Sequence, residues 1–156
     1  MADTALTISS TRVTPLSEQE AAATGFNTRF RFVYSDLSAT TSGASDTATV
    51  TLGATPTNWF IDKCLLPITT AFAGITALTI IAGTTTSTAA LISSTSLLTA
   101  ATLNQAVGVP ILTNTTATAA KNLVVIFTAA GTGGLTALTA GQCDLYVSLQ
   151  NVTKLP

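Results

Sequence analysis

The chain has 156 residues, of which 47% are apolar and only 8% are charged; its formal net charge is −1, and it contains no histidine. It is long enough to bury a hydrophobic core within one domain. The near-neutral charge provides no basic surface for DNA or RNA, so nucleic-acid binding is not expected.

The composition favours β structure and a covered surface. Threonine and alanine are abundant, and threonine suits the pleated, half-buried surface of a sheet. A free monomer usually relies on charge for solubility. We therefore expect copies of the chain, or a larger assembly, to cover much of the surface. The start lacks the pattern of a secretion signal. No apolar run reaches the roughly 18 residues of a membrane span, so no membrane partner is expected.

Residues 1–27 form a distinct N-terminal arm without sustained alternation. Ser17, followed three residues later by Glu20, matches a capping box and predicts a short helix that ends at Gly25. Two interpretations of the arm remain open. It is either a disordered tail or a segment that becomes ordered against a neighbouring subunit.

Residues 28–36 form the clearest predicted strand, because aromatic and charged side chains alternate along it. Arg29 and Arg31 share one face with Val33 and are expected to reach solvent, with acidic groups of a partner as the alternative. The other face, which belongs in the core, carries Phe30, Phe32 and Tyr34.

Further strands follow at short intervals. Residues 46–52 alternate, with Ala48, Val50 and Leu52 directed inward. The next strands are predicted over residues 59–66, ended by Pro67, and over residues 75–82, closed by Gly83. Within residues 59–66, Asp62 and Lys63 predict an exposed edge or a short-range ion pair.

The middle of the chain is ambiguous. Residues 84–105 lack strict alternation and predict either a short helix with a loop or an irregular excursion across the sandwich, which is a candidate for contacts. Residues 109–112 predict a short strand, and Pro110 within it favours an edge position.

Residues 121–149 contain two apolar strands in a hairpin-like element around a Gly/Thr/Ala turn. With this pair, the chain has about seven or eight short strands, which predicts an all-β, antiparallel, jelly-roll-like sandwich. The predicted organisation is an N-terminal arm over 1–27, a sandwich domain over 28–151 and a C-terminal tail over 152–156.

No catalytic, cofactor-binding or metal site is predicted. The missing histidine removes the commonest general base and a common metal ligand. The glycine-rich residues 131–134 lack the lysine of a phosphate loop and predict a tight turn with positive φ. Cys64 and Cys143 are expected to be buried free thiols, and a disulfide bond between them is the alternative. Four aspartates are isolated from one another in the sequence and form no calcium-binding motif. They are Asp36, Asp46, Asp62 and Asp144.

Several stretches resemble a family of small virion proteins of tailed bacteriophages, the capsid cement or decoration proteins. The first is FVYSDLSATTSGASDTATVTL at residues 32–52, and the second is TAFAGITALTIIAG at residues 70–83. A polar middle excursion follows. The most specific stretch is GGLTALTAGQCDLYV at residues 133–147, which is similar to the family's L-N-A-L-T-A-G-x-V-D-I-Y-V ending.

The resemblance covers about residues 30–149, with two departures. Gly74 stands alone where the family often has two glycines, and Cys143 stands where it often has valine. The motifs mark a scaffold and identify no chemistry.

The resemblance implies a non-enzymatic protein of the virion. It would be made in the host bacterial cytoplasm and would lie on the outer capsid surface, as a homotrimer that bridges subunits of the major capsid protein. A component of the tail or head fibre, or one for host recognition through carbohydrate binding, is the alternative. No cofactor is expected.

Overall fold

The computed structural model describes residues 3–7, 13–38, 47–54, 59–99, 103–106, 111–112 and 122–151. These ranges form eleven strands, two short α-helices and one 3-10 helix. The strands are β1 (Asp3–Thr7), β2 (Val13–Pro15), β3 (Thr28–Val33), β4 (Thr47–Ala54), β5 (Trp59–Ala73), β6 (Ala77–Thr84), β7 (Ser87–Ser96), β8 (Leu103–Ala106), β9 (Ile111–Leu112), β10 (Asn122–Ala130) and β11 (Ala140–Asn151). The helices are α1 (Glu18–Thr24) and α2 (Tyr34–Ser38), and the 3-10 helix spans Gly134–Ala137. No helix in the described ranges is long and apolar enough to cross a membrane.

The strands form two sheets. Sheet I has the order β1-β4-β10-β6-β7, and sheet II has the order β2-β3-β11-β5-β8, with β9 also paired to β5. Among the described pairings only β1 with β4 is parallel, and the others are antiparallel. The predicted all-β sandwich is confirmed.

The pairing order is that of a jelly roll. Four antiparallel pairs are nested within one another along the chain: β3 with β11, β4 with β10, β5 with β8, and β6 with β7. The members alternate between the sheets, so β3 and β5 lie in sheet II while β4 and β6 lie in sheet I. Eight strands in two four-stranded sheets, wound in this way, define the jelly roll.

The core lies between the sheets and follows the alternation of the sequence. In β10, Leu123, Val125, Phe127 and Ala129 all point inward. Phe127 meets Phe32 of sheet II edge to face, with ring centroids 5.2 Å apart and planes inclined at 64°. Fully burying one such ring contributes about 1.5–3 kcal/mol.

The two strands of residues 121–149 exist, but their hairpin-like pairing is wrong. β10 lies in sheet I and β11 in sheet II, so the linker between them crosses the sandwich. The predicted turn with positive φ is confirmed, since Gly131, Gly133 and Gly134 all have φ above 50°. The 3-10 helix of this linker buries Leu135 completely. The linker thus packs into the core instead of merely reversing the chain.

The first strand ends earlier than predicted. β3 stops at Val33, and Tyr34 begins α2 with 37% of its surface exposed, so the prediction that Tyr34 lies in the core is wrong. The Asp36 carboxylate accepts a hydrogen bond from the Val33 amide at 3.5 Å. Hydrogen bonds from a side chain to a nearby backbone group compete with the hydrogen bonds between strands. The helix then buries Leu37 in the core.

β5 continues past Pro67, contrary to the prediction. Its ladder with β8 runs from Cys64 opposite Ala106 to Pro67 opposite Leu103. The proline therefore ends the pairing with the short edge strand, while pairing with β11 continues to Ala73. A proline is tolerated at such an edge because few ladder bonds are lost there.

The ambiguous residues 84–105 contain two strands, so the expected helix or irregular excursion is wrong for their described part. β7 pairs with β6, but two register shifts interrupt the ladder. These shifts bring the consecutive residues Leu91 and Ile92 both into the core. The irregularity hid the alternation that would have predicted a strand.

Candidate interaction surfaces

The outer face of sheet I is free of charged side chains across its main strands. β4, β6, β7 and β10 contain no Asp, Glu, Lys or Arg. On this face, which we call the neutral face, residues from three strands stand in rows. The rows are Thr47–Thr128–Thr79, Thr49–Ile126–Ile81 and Thr51–Val124–Gly83.

This composition suits a contact surface. Moving a charge out of water is costly unless it finds a partner, and protein interfaces are depleted of charge at their centre. Thr51 and Thr128 are exposed, and Ile81 and Ile126 are half-buried in the isolated chain. Covering the neutral face would bury apolar side chains and methyl groups without removing an ion from water.

The strands of sheet II, in contrast, carry charged side chains. β3 contributes Arg29 and Arg31, β5 contributes Asp62 and Lys63, and β11 contributes Asp144. Asp62 is exposed, whereas Lys63 is half-buried, with its ammonium 4.9 Å from the centre of the Phe26 ring. A lysine in this position gains a cation–π interaction.

Arg31 forms a bidentate ion pair with Asp144, which is its cross-strand neighbour. Arg31 Nε donates to Asp144 Oδ1 at 2.9 Å, and Nη2 donates to Oδ2 at 3.1 Å. The Asp144 side chain is only 3% exposed and that of Arg31 is 41% exposed. The hydrogen bond to Asp144 raises the pKa of the Arg31 guanidinium. Arg31 thus reaches solvent, as expected, but its guanidinium is also paired with a carboxylate of the same chain, which was not expected.

Sequence reasoning missed this pair because the two residues are far apart in the chain. The register of β3 on β11 places them side by side. Only a prediction of the strand order could have found the pair, since opposite charges directly across a ladder attract.

Asn27 fastens the N-terminal arm to β11. Its Nδ2 donates to the Leu149 carbonyl at 2.6 Å, and its Oδ1 accepts from the Leu149 amide at 3.1 Å. The Asn27 amide also donates to the Val147 carbonyl at 3.1 Å. The side chain thus replaces a peptide group in the ladder where β3 begins.

α1 has the predicted boundaries. Ser17 is the N-cap of a complete capping box with Glu20, and Gly25 ends the helix with φ 71°. The hydrogen bonds from Ser17 lower the pKa of Glu20 below its ordinary value. Gly25 also lies against Lys63, because a Cβ on Gly25 would clash with Lys63 Nζ.

The two segments predicted to make contacts lie at opposite sides of the sandwich. β1 and β2, from the N-terminal arm, form one edge of each sheet. β7 and β8, from residues 84–105, form the other edges, with β9 beside β8 on β5. Edge strands expose backbone groups that can pair with another chain.

Among the described residues, the candidate carboxylates and thiols do not gather into one cluster. Within the described ranges, no cluster of three or more His, Cys, Asp or Glu side chains could hold a metal ion. Asp36 and Asp62 lie on separate elements, Asp144 is paired with Arg31, and Asp46 falls outside the described residues.

Cys64 and Cys143 are buried free thiols, as predicted. Cys64 Sγ donates to the Leu91 carbonyl at 3.4 Å. Burial raises the pKa of Cys143, with the charge of Asp144 as a smaller cause. Because the thiolate is the nucleophilic form and a raised pKa keeps the thiol protonated, we expect Cys143 to be a poor nucleophile.

Comparisons with protein-family models, curated proteins and solved structures found no match to this chain.

Proposed function

We propose that the chain is a non-enzymatic structural protein of a tailed-phage virion, a capsid cement or decoration protein. It binds the outer surface of the head and bridges neighbouring major capsid protein subunits, which stabilises the DNA-filled shell. The observation that carries this proposal is the neutral face, where four adjacent strands present threonine, alanine and isoleucine without one charged side chain.

The sandwich offers two kinds of contact for this role. The neutral face can lie on the capsid, because its desolvation removes no ion from water. The lateral edges β1, β2, β7 and β8 can meet sister subunits, and these contacts would build the homotrimer. A cement protein acts in many copies, so modest contacts at each position add to a stable shell.

The docking face can be tested by placing a glutamate at one of two exposed threonines, one on each sheet. Thr128 is exposed on the neutral face, and Thr70 is exposed on β5 of sheet II. Each variant is added to phage heads that lack the chain, and occupancy is measured by sedimentation and cryo-EM. Thr128→Glu should bind at least about tenfold more weakly than the unmodified chain, because it places an unpaired charge in the contact. Thr70→Glu should bind normally.

Equal binding by both variants would reject the neutral face as the docking surface, as would a loss confined to Thr70→Glu.

The cement role has a separate test. Heads assembled without the chain should release DNA at lower temperature and on osmotic shock, and adding the chain back should restore them. Unchanged particle stability contradicts the role. Cryo-EM of the virion should show the chain as trimers in a regular array over the head; density confined to the tail, a fibre or one vertex would support the alternative virion component.

A further inference from the structure

The loop that joins β2 to β3 contains α1, and its base is closed independently of that helix. β2 and β3 pair from Val13 opposite Phe30 to Pro15 opposite Thr28. The Leu16 amide then donates to the Asn27 carbonyl at 3.0 Å. Residues 17–26 therefore form a loop whose two ends are held together by backbone bonds outside α1.

The base of this loop is also tied to β11. Asn27 bonds through its side chain to both backbone groups of Leu149. Phe26 is buried, and its ring packs on Tyr146 with centroids 6.1 Å apart. Both anchoring residues follow Gly25 in the chain, so they hold the base of the loop and not the helix.

α1 packs far less closely on the sandwich than α2 does. α2 contacts β3, β11 and the 3-10 helix, and it buries Leu37 in the core. α1 makes no contact of comparable extent with any described element. Its apolar residues are all alanines, of which Ala21 is half-buried while Ala22 and Ala23 are exposed. Because most helical stability in proteins comes from a packed apolar face, α1 gains little from lying on the sheet.

A cavity of about 350 Å³ lies between the loop and the outer face of sheet II. Among its described lining residues only Glu20 belongs to α1, and the hydrogen bonds of this carboxylate with Ser17 stay within the loop. The other lining residues belong to the strands or to the base of the loop, and they are Leu16, Phe26, Arg29, Leu65 and Tyr146. A void forfeits the dispersion contacts that a packed helix would make. Movement of α1 would leave the rest of the cavity wall in place.

The two ends of α1 are suited to rotation. Ser17 is extended, with φ −60° and ψ 156°, and Gly25 is left-handed, with φ 71°. Glycine reaches other backbone conformations at little cost, so the chain can turn at Gly25 without disturbing Phe26. Gly25 is exposed and lies against the end of the Lys63 side chain, which is itself flexible.

We propose that α1 is a flap that swings away from sheet II as a unit, with Ser17 and Gly25 as its hinges, while the base of the loop stays closed. The closed flap covers the cavity. The open flap exposes Leu65 and Tyr146, which are half-buried when it is closed. This movement would occur whether or not the chain belongs to a virion.

Hydrogen exchange of the full, ¹⁵N-labelled chain tests the flap at its hinge. The Gly25 amide donates to the Ala21 carbonyl at 2.7 Å within the flap, and the Asn27 amide donates to the Val147 carbonyl at 3.1 Å in the base. The Gly25 amide should be at least about tenfold less protected than the Asn27 amide, and low urea should not change its rate, because local opening exposes little surface. Equal protection of the two amides, or an equal response to urea, would overturn the proposal.

A second measurement separates a swinging flap from a helix that unravels in place. Gly25→Ala strains the hinge, because alanine disfavours the left-handed conformation and its Cβ would clash with Lys63. A soluble paramagnetic agent should then broaden the Tyr146 ring resonances at least about twofold more than in the unmodified chain. The Leu37 resonances beneath α2 should not change.

Ala22→Gly is the matched control, because it weakens the helix at an exposed position and leaves both hinges intact. It should speed exchange of the Gly25 amide by about fivefold without adding to the broadening of Tyr146. Unchanged protection of the Asn27 amide in both variants shows that the sandwich is folded. The flap is rejected if Gly25→Ala does not increase the broadening of Tyr146, or if Ala22→Gly increases it equally.

Discussion

The two sheets of this sandwich share one core but face outward with different chemistry. The neutral face of sheet I has rows of threonine around Ile81 and Ile126. Sheet II carries Arg29, Arg31 and Asp144, with α1 lying over part of its outer side. Of the six charged residues on the described strands, five therefore lie on sheet II, and the sixth is Asp3 on the edge strand β1 of sheet I.

The difference shows what the few charges do. On sheet II they make internal contacts: Arg31 neutralises a buried carboxylate, and Lys63 covers Phe26 at the end of α1. The described strands β4, β6, β7 and β10 of sheet I have no charged side chain that could make such a contact. Neighbouring strands without charged side chains are suited to being covered.

The largest effect on stability is expected from removing the charge of Arg31 on sheet II. Arg31→Met leaves the Asp144 carboxylate buried without its counter-charge. We expect a loss of about 2 kcal/mol in the free energy of unfolding, below the 3–5 kcal/mol of fully buried pairs because Arg31 is 41% exposed. Urea unfolding followed by circular dichroism measures this loss.

Two variants control this experiment. Arg29→Met removes an arginine of the same strand whose buried Nε has no partner, so it should not lower the free energy of unfolding. Arg31→Met combined with Asp144→Leu removes both charges and should recover most of the loss. If Arg31→Met and Arg29→Met lower the free energy of unfolding by the same amount, the ion pair of Arg31 with Asp144 is not what stabilises sheet II.

The sequence was sufficient where local patterns decide structure. Alternation predicted the inward side chains of β4, and Ala48 and Val50 are fully buried. The Ser17–Glu20 spacing and Gly25 predicted α1, because a capping box and a glycine stop act within a few residues. The number and spacing of the strands predicted the jelly roll.

The sequence was insufficient where contacts depend on strand order or on register shifts. Arg31 finds Asp144 only after β3 and β11 pair, and the cavity at Arg29 needs β3, β11, β5 and the arm together. β7 escaped prediction because its register shifts bury Leu91 and Ile92 in succession. The neutral face could have been noticed by counting charges strand by strand, but strand order was needed to show that these strands are neighbours.

A smaller loss of stability is expected at the N-terminal end of α1. Ser17→Ala removes the N-cap and should destabilise the helix by about 1 kcal/mol. In the unmodified chain, hydrogen bonds from Ser17 hold the pKa of Glu20 below its ordinary 4.5. The stabilisation by the Glu20 carboxylate is therefore present above pH 4.5 and is lost as the pH falls through the lowered pKa. In Ser17→Ala, NMR titration should show this pKa rising toward 4.5.

Glu20→Gln is the matched control, because glutamine can complete a capping box without a titrating group. It should remove the contribution of Glu20 to acid sensitivity and keep α1 folded at neutral pH. An unchanged pKa of Glu20 in Ser17→Ala would mean that the Ser17 hydroxyl does not set its value and that the backbone amide of residue 17 or the charge of Arg29 does.

The smallest effect on folding is expected on the neutral face. Thr51 and Thr128 are exposed and lie toward different ends of the face, opposite Val124 and Thr47 respectively. Replacing both with lysine should change the free energy of unfolding by no more than about 1 kcal/mol, since surface strand positions tolerate such changes. A thermal melt measures this, with Thr51→Gln plus Thr128→Gln as the uncharged control. If the lysine pair unfolds the chain while the glutamine pair does not, neutrality is a requirement of the fold; if both melt normally, folding does not explain why this face lacks charge.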